Sequence, residues 1–185
     1  MMARTLHCLS VSLLALLYAN SVLAFTTANF AKSEVIFLAR PMNVPIDGKF
    51  RRVSGQIKLD LAHLGASMVH VEIDVASLDL GIPTTEVELK KSKWFAADRF
   101  PVARFVARDI RRIGERQFEA VGEFTLKGVT KALVVPFILV RKSGGEAVEG
   151  TISINRLDFN VGEAEWADQK LIGKNVQVHF NVPLT

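Results

Sequence analysis

The chain has 185 residues, with 23 Lys and Arg against 19 Asp and Glu and a formal net charge of +4, an excess too small to argue for nucleic-acid binding. Its one cysteine, Cys8, sits near the N-terminus, so neither a disulfide framework nor a thiolate metal site is expected.

Residues 1–24 read as an export signal: Arg4 supplies positive charge, Cys8 to Ala19 form an apolar run, and Val22-Leu23-Ala24 offers small residues before a cut after Ala24. The run falls short of the roughly 20 residues a spanning helix needs, and Asn20 and Ser21 interrupt its end. Leu6-His7 ahead of Cys8 argue against a lipoprotein signal. Removing 24 of 185 residues leaves 161, read as one domain over 25–185. Only Arg4 among the charges is lost, so 22 basic residues face 19 acidic ones, or +3.

From Ser33 onward apolar residues recur with period two, the pattern of strands with one buried face. Val69, Val71, Ile73 and Val75 alternate with His70, Glu72 and Asp74; Phe118, Ala120, Gly122, Phe124 and Leu126 alternate with Glu119, Val121, Glu123 and Thr125; Val176, Val178, Phe180 and Val182 form a third such run. Eight strands are predicted, at about 33–40, 49–60, 67–76, 102–112, 117–127, 130–142, 146–157 and 173–183. Turns are expected at Ile46-Asp47-Gly48, Arg112-Ile113-Gly114, Lys127-Gly128 and Ser143-Gly144-Gly145. The segment 84–95 breaks the pattern and reads as a helical excursion after Pro83, with Thr84 or Thr85 as N-cap. Asn160 to Gln169 reads as a loop or a single helical turn. Eight sequential strands with little helix avoid exposed edges by closing, so the fold class is all-β, an eight-stranded antiparallel barrel.

The residues of common catalytic sites are missing. There is no Gly-x-Ser-x-Gly elbow, phosphate-binding glycine loop or His-Glu-x-x-His, and His63, His70 and His179 lack metal-ligand spacing. Glu34, Glu72, Asp74, Glu86, Glu88, Glu163 and Glu165 fall mostly at exposed parity. No enzyme activity and no metal are therefore expected. All twelve phenylalanines and both tryptophans follow the leader, whereas the one tyrosine, Tyr18, lies within it. An interior rich in Phe and nearly free of hydrogen-bonding groups suits hydrocarbon. Small residues between the rings, as in Phe118/Ala120/Gly122/Phe124 and Ala103/Phe105/Ala107, point to a channel; rings that merely fill the core are the alternative.

Several runs together resemble the YceI-like polyisoprenoid-binding proteins: Asp47-Gly48-Lys49-Phe50, Gly55-Gln56-Ile57, Val71 to Asp79, and Leu89 to Phe95. Phe100-Pro101-Val102-Ala103-Arg104-Phe105, Gly122 to Lys131, and Asn155-Arg156-Leu157-Asp158-Phe159 resemble further motifs of that family. They follow in the family's order over essentially the whole mature chain. The resemblance implies a lipocalin-like barrel in the periplasm whose tunnel holds an isoprenoid, such as a quinone tail or polyprenyl phosphate. Two departures stand out: Arg40 ends the first strand where many members carry histidine, and Asn160 replaces the glycine usual after Asp-Phe. Glu163 to Asp168 is similar to members associated with membrane cytochromes of the b561 type, which implies such a partner and a quinone-linked role.

On this reading Phe50, Val53, Ile57, Val69, Val71, Ile73, Phe105, Phe118, Phe124, Ile152, Val178 and Phe180 line the tunnel, and Trp94, Arg104, Arg156 and Trp166 are candidates for the mouth or head group. For Arg156 a structural pair with Asp158 or another nearby acid is the competing reading. The second functional hypothesis is an interaction module with a filled barrel that docks a membrane redox protein. Its basis is the run Leu133 to Val140, apolar on both parities, unless the 84–95 helix covers the outer side. The oligomeric state is left open, a dimer included.

Overall fold

The computed structural model describes residues 26–42 and 44–185, so the expected leader and its cleavage point lie outside the described residues. The alternating runs become strands β1 (Thr26–Thr27), β2 (Glu34–Ala39), β3 (Ile46–Phe50), β4 (Val53–Leu59), β5 (Met68–Asp74) and β6 (Leu78–Asp79), then a short helix α1 (Pro83–Leu89). After it come β7 (Val102–Arg112), β8 (Gln117–Leu126), β9 (Val129–Lys142), β10 (Gly145–Asn155) and β11 (Asn175–Pro183). Every ladder between them is antiparallel.

Eleven strands and the eight expected describe the same barrel. The sheet order is β1-β4-β5-β7-β8-β9-β10-β11-β2-β3-β6, and the chain runs from one side of the joint to the other twice, from β3 into β4 and from β5 into β6. The expected strand 49–60 bends at Arg51-Arg52 into β3, which pairs with β2 and β6, and β4, which pairs with β5 and β1. The strand expected at 67–76 continues past a 3-10 turn at Val75–Ser77 into β6. Each bent strand therefore belongs to two neighbours' ladders, and the ring closes. β1 seals the other end of the joint, because Thr26 pairs with Leu59 while Ala28 bridges Leu184.

The turn expected at Ile46-Asp47-Gly48 is instead part of β3, since a Cβ on Gly48 would run into the Phe37 ring packed across it. Lys127 and Gly128 make a two-residue hairpin turn, with φ of 48° and 76° and Leu126 opposite Val129. Thr84 and Thr85 are not the N-cap of α1: Pro83 occupies its first turn and Ile82 precedes it.

Gly122 has a different role from the one its small size suggests. A Cβ there would overlap the carbonyl oxygen of Val106 and press on Ala107 (2.7 Å to its Cβ), beside the bulge that shifts the β7–β8 register between Ala107 and Asp109. Glycine thus serves close strand approach at the bulge. Gly122→Ala is expected to lower the unfolding free energy by about 2 kcal/mol, within the usual range for overpacking, as measured by urea denaturation.

The connections 39–46, 75–101 and 156–174 lie at one end of the barrel with the Lys127-Gly128 turn, and the 60–67, 113–116 and 143–144 connections close the other. At that closed end Asp60 is 5% exposed and its Oδ1 accepts the backbone N–H groups of Ala62 (3.0 Å) and His63 (2.8 Å). The His63 N–H holds the Asp60 carboxyl below the usual carboxylate range, against desolvation. A carboxyl with a depressed folded-state pKa contributes stability above its unfolded value, and that contribution is lost as pH falls through the folded one. The stability gap between the protein and Asp60→Asn should therefore be full near neutrality and shrink below about pH 4, as followed by urea midpoints across pH.

Candidate functional site

The barrel encloses a cavity of about 610 Å³ that reaches from Leu59, Val148 and Val182 near the closed end to Pro41, Ile82 and Thr84 at the other. Eleven of the twelve expected lining residues face it; Phe118 does not. Phe118 is 1% exposed, stacks on Phe137 with centroids 5.4 Å apart, and lies under the Arg112 guanidinium at 4.8 Å, so it helps to plug the floor. Of the small residues thought to leave room, Ala103 and Ala120 line the cavity and Ala107 and Gly122 do not. The hollow shows that these rings do not merely fill a core, and a filled barrel no longer describes the interior.

Several wall residues escaped the sequence reading. Leu133 and Val135 lie in a run apolar on both parities, so alternation could not say which face was inner. The hairpin at Lys127-Gly128 could have: it sets Ala120 opposite Val135 and Gly122 opposite Leu133, so the inner parity of β8 fixes that of β9. The outer parity carries Val134 and Ile138, 47% and 41% exposed, with Pro136 between them. The 84–95 segment therefore does not cover that face. It lies at the mouth, where Thr84, Thr85, Glu88 and Leu89 border the cavity; no pattern in the sequence located them, because the placement is tertiary.

Arg156 shows why a buried cation need not be a ligand site. It is 4% exposed and borders the cavity, yet all five of its N–H groups are used. Nε donates to Gly173 O (3.1 Å), Nη1 to Val161 O (2.8 Å) and Gly162 O (3.1 Å), and Nη2 to Trp166 O (2.6 Å) and Ile172 O (2.9 Å). A guanidinium has five donors, so none is left for a head group. Burial pulls its pKa below the ordinary arginine value. The pair with Asp158 does not form either: Asp158 accepts from Asn155 and lies 3.9 Å from Lys131. Arg156 instead ties Val161, Gly162, Trp166, Ile172 and Gly173 into the mouth wall. Gly162, at φ 78°, leaves no room for a Cβ between Arg156 and the Trp94 ring. Asn160 takes the left-handed φ of 56° and ψ of 32°, a conformation asparagine tolerates better than most residues, so it stands in for glycine there without loss of the turn.

Trp94 and Trp166 both border the cavity, with rings 5.5 Å apart. Arg104 does not. It pairs with Glu72 across the β5–β7 ladder on the outer face, Nη2 to Oε1 at 2.7 Å, and this partner holds the Glu72 carboxyl below its usual range. Its place follows from parity: Ala103 and Phe105 point inward, so Arg104 must point out. Among the described residues no three His, Cys, Asp or Glu side chains converge. The polar side chains that border the cavity are Thr84, Thr85, Glu88, Arg156 and the two indoles, all from the mouth segments.

A closed antiparallel barrel around an apolar hollow, with polar groups confined to one rim, has the architecture of lipocalin-like proteins. The chain belongs to the YceI-like domain family, whose sequence model matches residues 26–184. Among curated proteins it is similar to a UPF0312 protein of Vibrio cholerae, 28% identical over 141 residues that cover 71% of this chain and 75% of that protein. Among solved structures, BcnA of Burkholderia cenocepacia superposes with a TM-score of 0.80 at 32% identity, covering 85% of this chain and 99% of that one. A polyisoprenoid binding domain from Saccharophagus degradans, implicated in plant cell wall breakdown, shares the fold with a TM-score of 0.65 at 17% identity, covering 86% and 97%.

Proposed function

We propose that this protein binds and carries a long apolar isoprenoid lipid, of the quinone or polyprenyl type, inside the barrel. The observation that carries the reading is the 610 Å³ cavity, whose wall is hydrocarbon from floor to rim. Burial of a dozen ligand carbons contributes on the order of 10 kcal/mol before the cost of immobilisation, at about 0.8 kcal/mol per CH₂, so tight binding needs few polar contacts. The polyisoprenoid binding domain among the structural neighbours supports an isoprenoid over other lipids. With all five donors of Arg156 engaged, contact with a head group falls to Thr84, Thr85, Glu88 and the two indoles at the rim. We place the carrier in the periplasm after loss of residues 1–24, with a membrane b561-type cytochrome as the partner suggested by Glu163 to Asp168.

Titration with an isoprenoid quinone, read by quenching of Trp94 and Trp166 fluorescence, tests this. The expected result is saturable quenching, with a tail-less quinone bound at least about a hundredfold more weakly. Equal affinities for the two would contradict it.

A further inference from the structure

The mouth is ringed by apolar side chains that the fold leaves bare. Of the ten large hydrophobic residues exposed among the described residues, five lie around this opening: Met42 at 71%, Val44 at 59%, Ile82 at 45%, Val87 at 60% and Leu171 at 38%. They come from three chain segments that meet there. The Met42 N–H donates to Leu171 O (2.8 Å), the Val44 N–H to Pro41 O (2.8 Å), and Pro41 bridges Ile172, while Pro41, Ile82 and Ile172 themselves border the cavity. On α1, Thr85, Glu88 and Leu89 face the hollow and Val87 faces solvent. The apolar ring is thus continuous with the apolar interior.

We propose that this rim is a membrane-docking surface: it seats the open end of the barrel on a lipid bilayer, with Met42, Val44, Ile82, Val87 and Leu171 in the interfacial layer. The proposal rests on the lipid-carrier reading and adds the place where ligand is exchanged. A long isoprenoid is held by membranes and not by water, so a carrier must collect it from a bilayer. A mouth flush with the acyl boundary lets the chain slide from one apolar phase to another without crossing water. Charge near the rim is close to balanced. Arg40, Lys90, Lys170 and Lys174 stand against Asp47, Glu86 and Asp168, Glu88 pairs with Lys91, and Lys93 pairs with Glu165. Docking is therefore driven by apolar insertion and persists at high salt, unlike attachment through a basic patch.

The test places an environment-sensitive fluorophore on Val44→Cys, Val87→Cys or Gly144→Cys, each in the chain without residues 1–24, which has no other cysteine, and adds protein-free phosphatidylcholine vesicles. Gly144 lies in the open turn between β9 and β10, at the closed end. Emission from labels at 44 and 87 should shift to shorter wavelength, from about 0.1 M to about 1 M salt, while the label at 144 stays unchanged. Three results overturn the proposal: no shift at 44 and 87, an equal shift at 144, or a response to native membranes but not to protein-free vesicles, which would assign the rim to a membrane protein. Lipid analysis of the same preparations separates the two ideas. Bound isoprenoid without rim insertion defeats only the docking surface, whereas insertion without any isoprenoid defeats the carrier reading.

Discussion

Double substitution of Val71→Phe and Ile152→Phe should abolish most ligand loading, lowering captured lipid by at least about tenfold, with no loss of stability. Both side chains face the hollow, from β5 and β10. Each phenylalanine adds apolar volume where the protein has empty space. A site with room accepts the larger ring without the strain that overpacking causes in a filled core, and filling a void recovers contacts that the void forgoes. Lost loading with an unchanged or raised urea midpoint is the expected pair of results. A drop of several kcal/mol in stability would show instead that these positions are packed solid. The same change at Ala107, 1% exposed and away from the cavity, should be costly, which makes it a control for crowding as such.

Arg156→Ala should destabilise the protein by about 4 kcal/mol in urea denaturation, near the upper end for a single substitution. The loss follows from geometry. Five carbonyl oxygens of the mouth wall accept from one guanidinium, and each buried acceptor left unpaired costs about 1–3 kcal/mol unless water or a shift of the wall repairs it. Arg156→Met, which keeps most of the volume, should lose nearly as much, because hydrogen bonds and not packing hold the segment. Arg156→Lys, with three donors for five acceptors, should fall in between. Asp158→Asn should change stability by less than about 0.5 kcal/mol, as usual for an exposed pair. A large effect at Asp158 with a small one at Arg156 would restore the ion-pair reading of this motif.

What could be read in the sequence and what could not divide along a physical line. Strands β7 to β11 showed clearly because their alternation is long and their turns, such as Lys127-Gly128, have positive φ that few residues tolerate. Inner residues such as Val69, Val71, Phe124 and Val178 followed from period two alone. Asp47-Gly48 read as a turn because glycine carries the same letter whether it bends the chain or clears space for a neighbouring ring, here Phe37. Phe118 had the right parity, but depth along the barrel is not encoded in parity, and it lies at the floor. Arg104 was placed at the mouth from its motif although its neighbours' parity sends it outward. Arg156 marked an important position for a reason that no local pattern carries: its partners are backbone carbonyls up to 17 residues away. The rim residues Met42, Val44, Ile82, Val87 and Leu171 gave no signal, since separate apolar residues in loops become a surface only after folding.

The measurement that bears most directly on the carrier reading is organic extraction of the protein purified from its own host, followed by mass spectrometry, with the Val71→Phe/Ile152→Phe protein prepared in parallel. A long-chain isoprenoid recovered near one per chain from the native protein, and largely lost from the filled variant, is the predicted outcome. Repeated preparations with no isoprenoid, or equal amounts from both proteins, would contradict it.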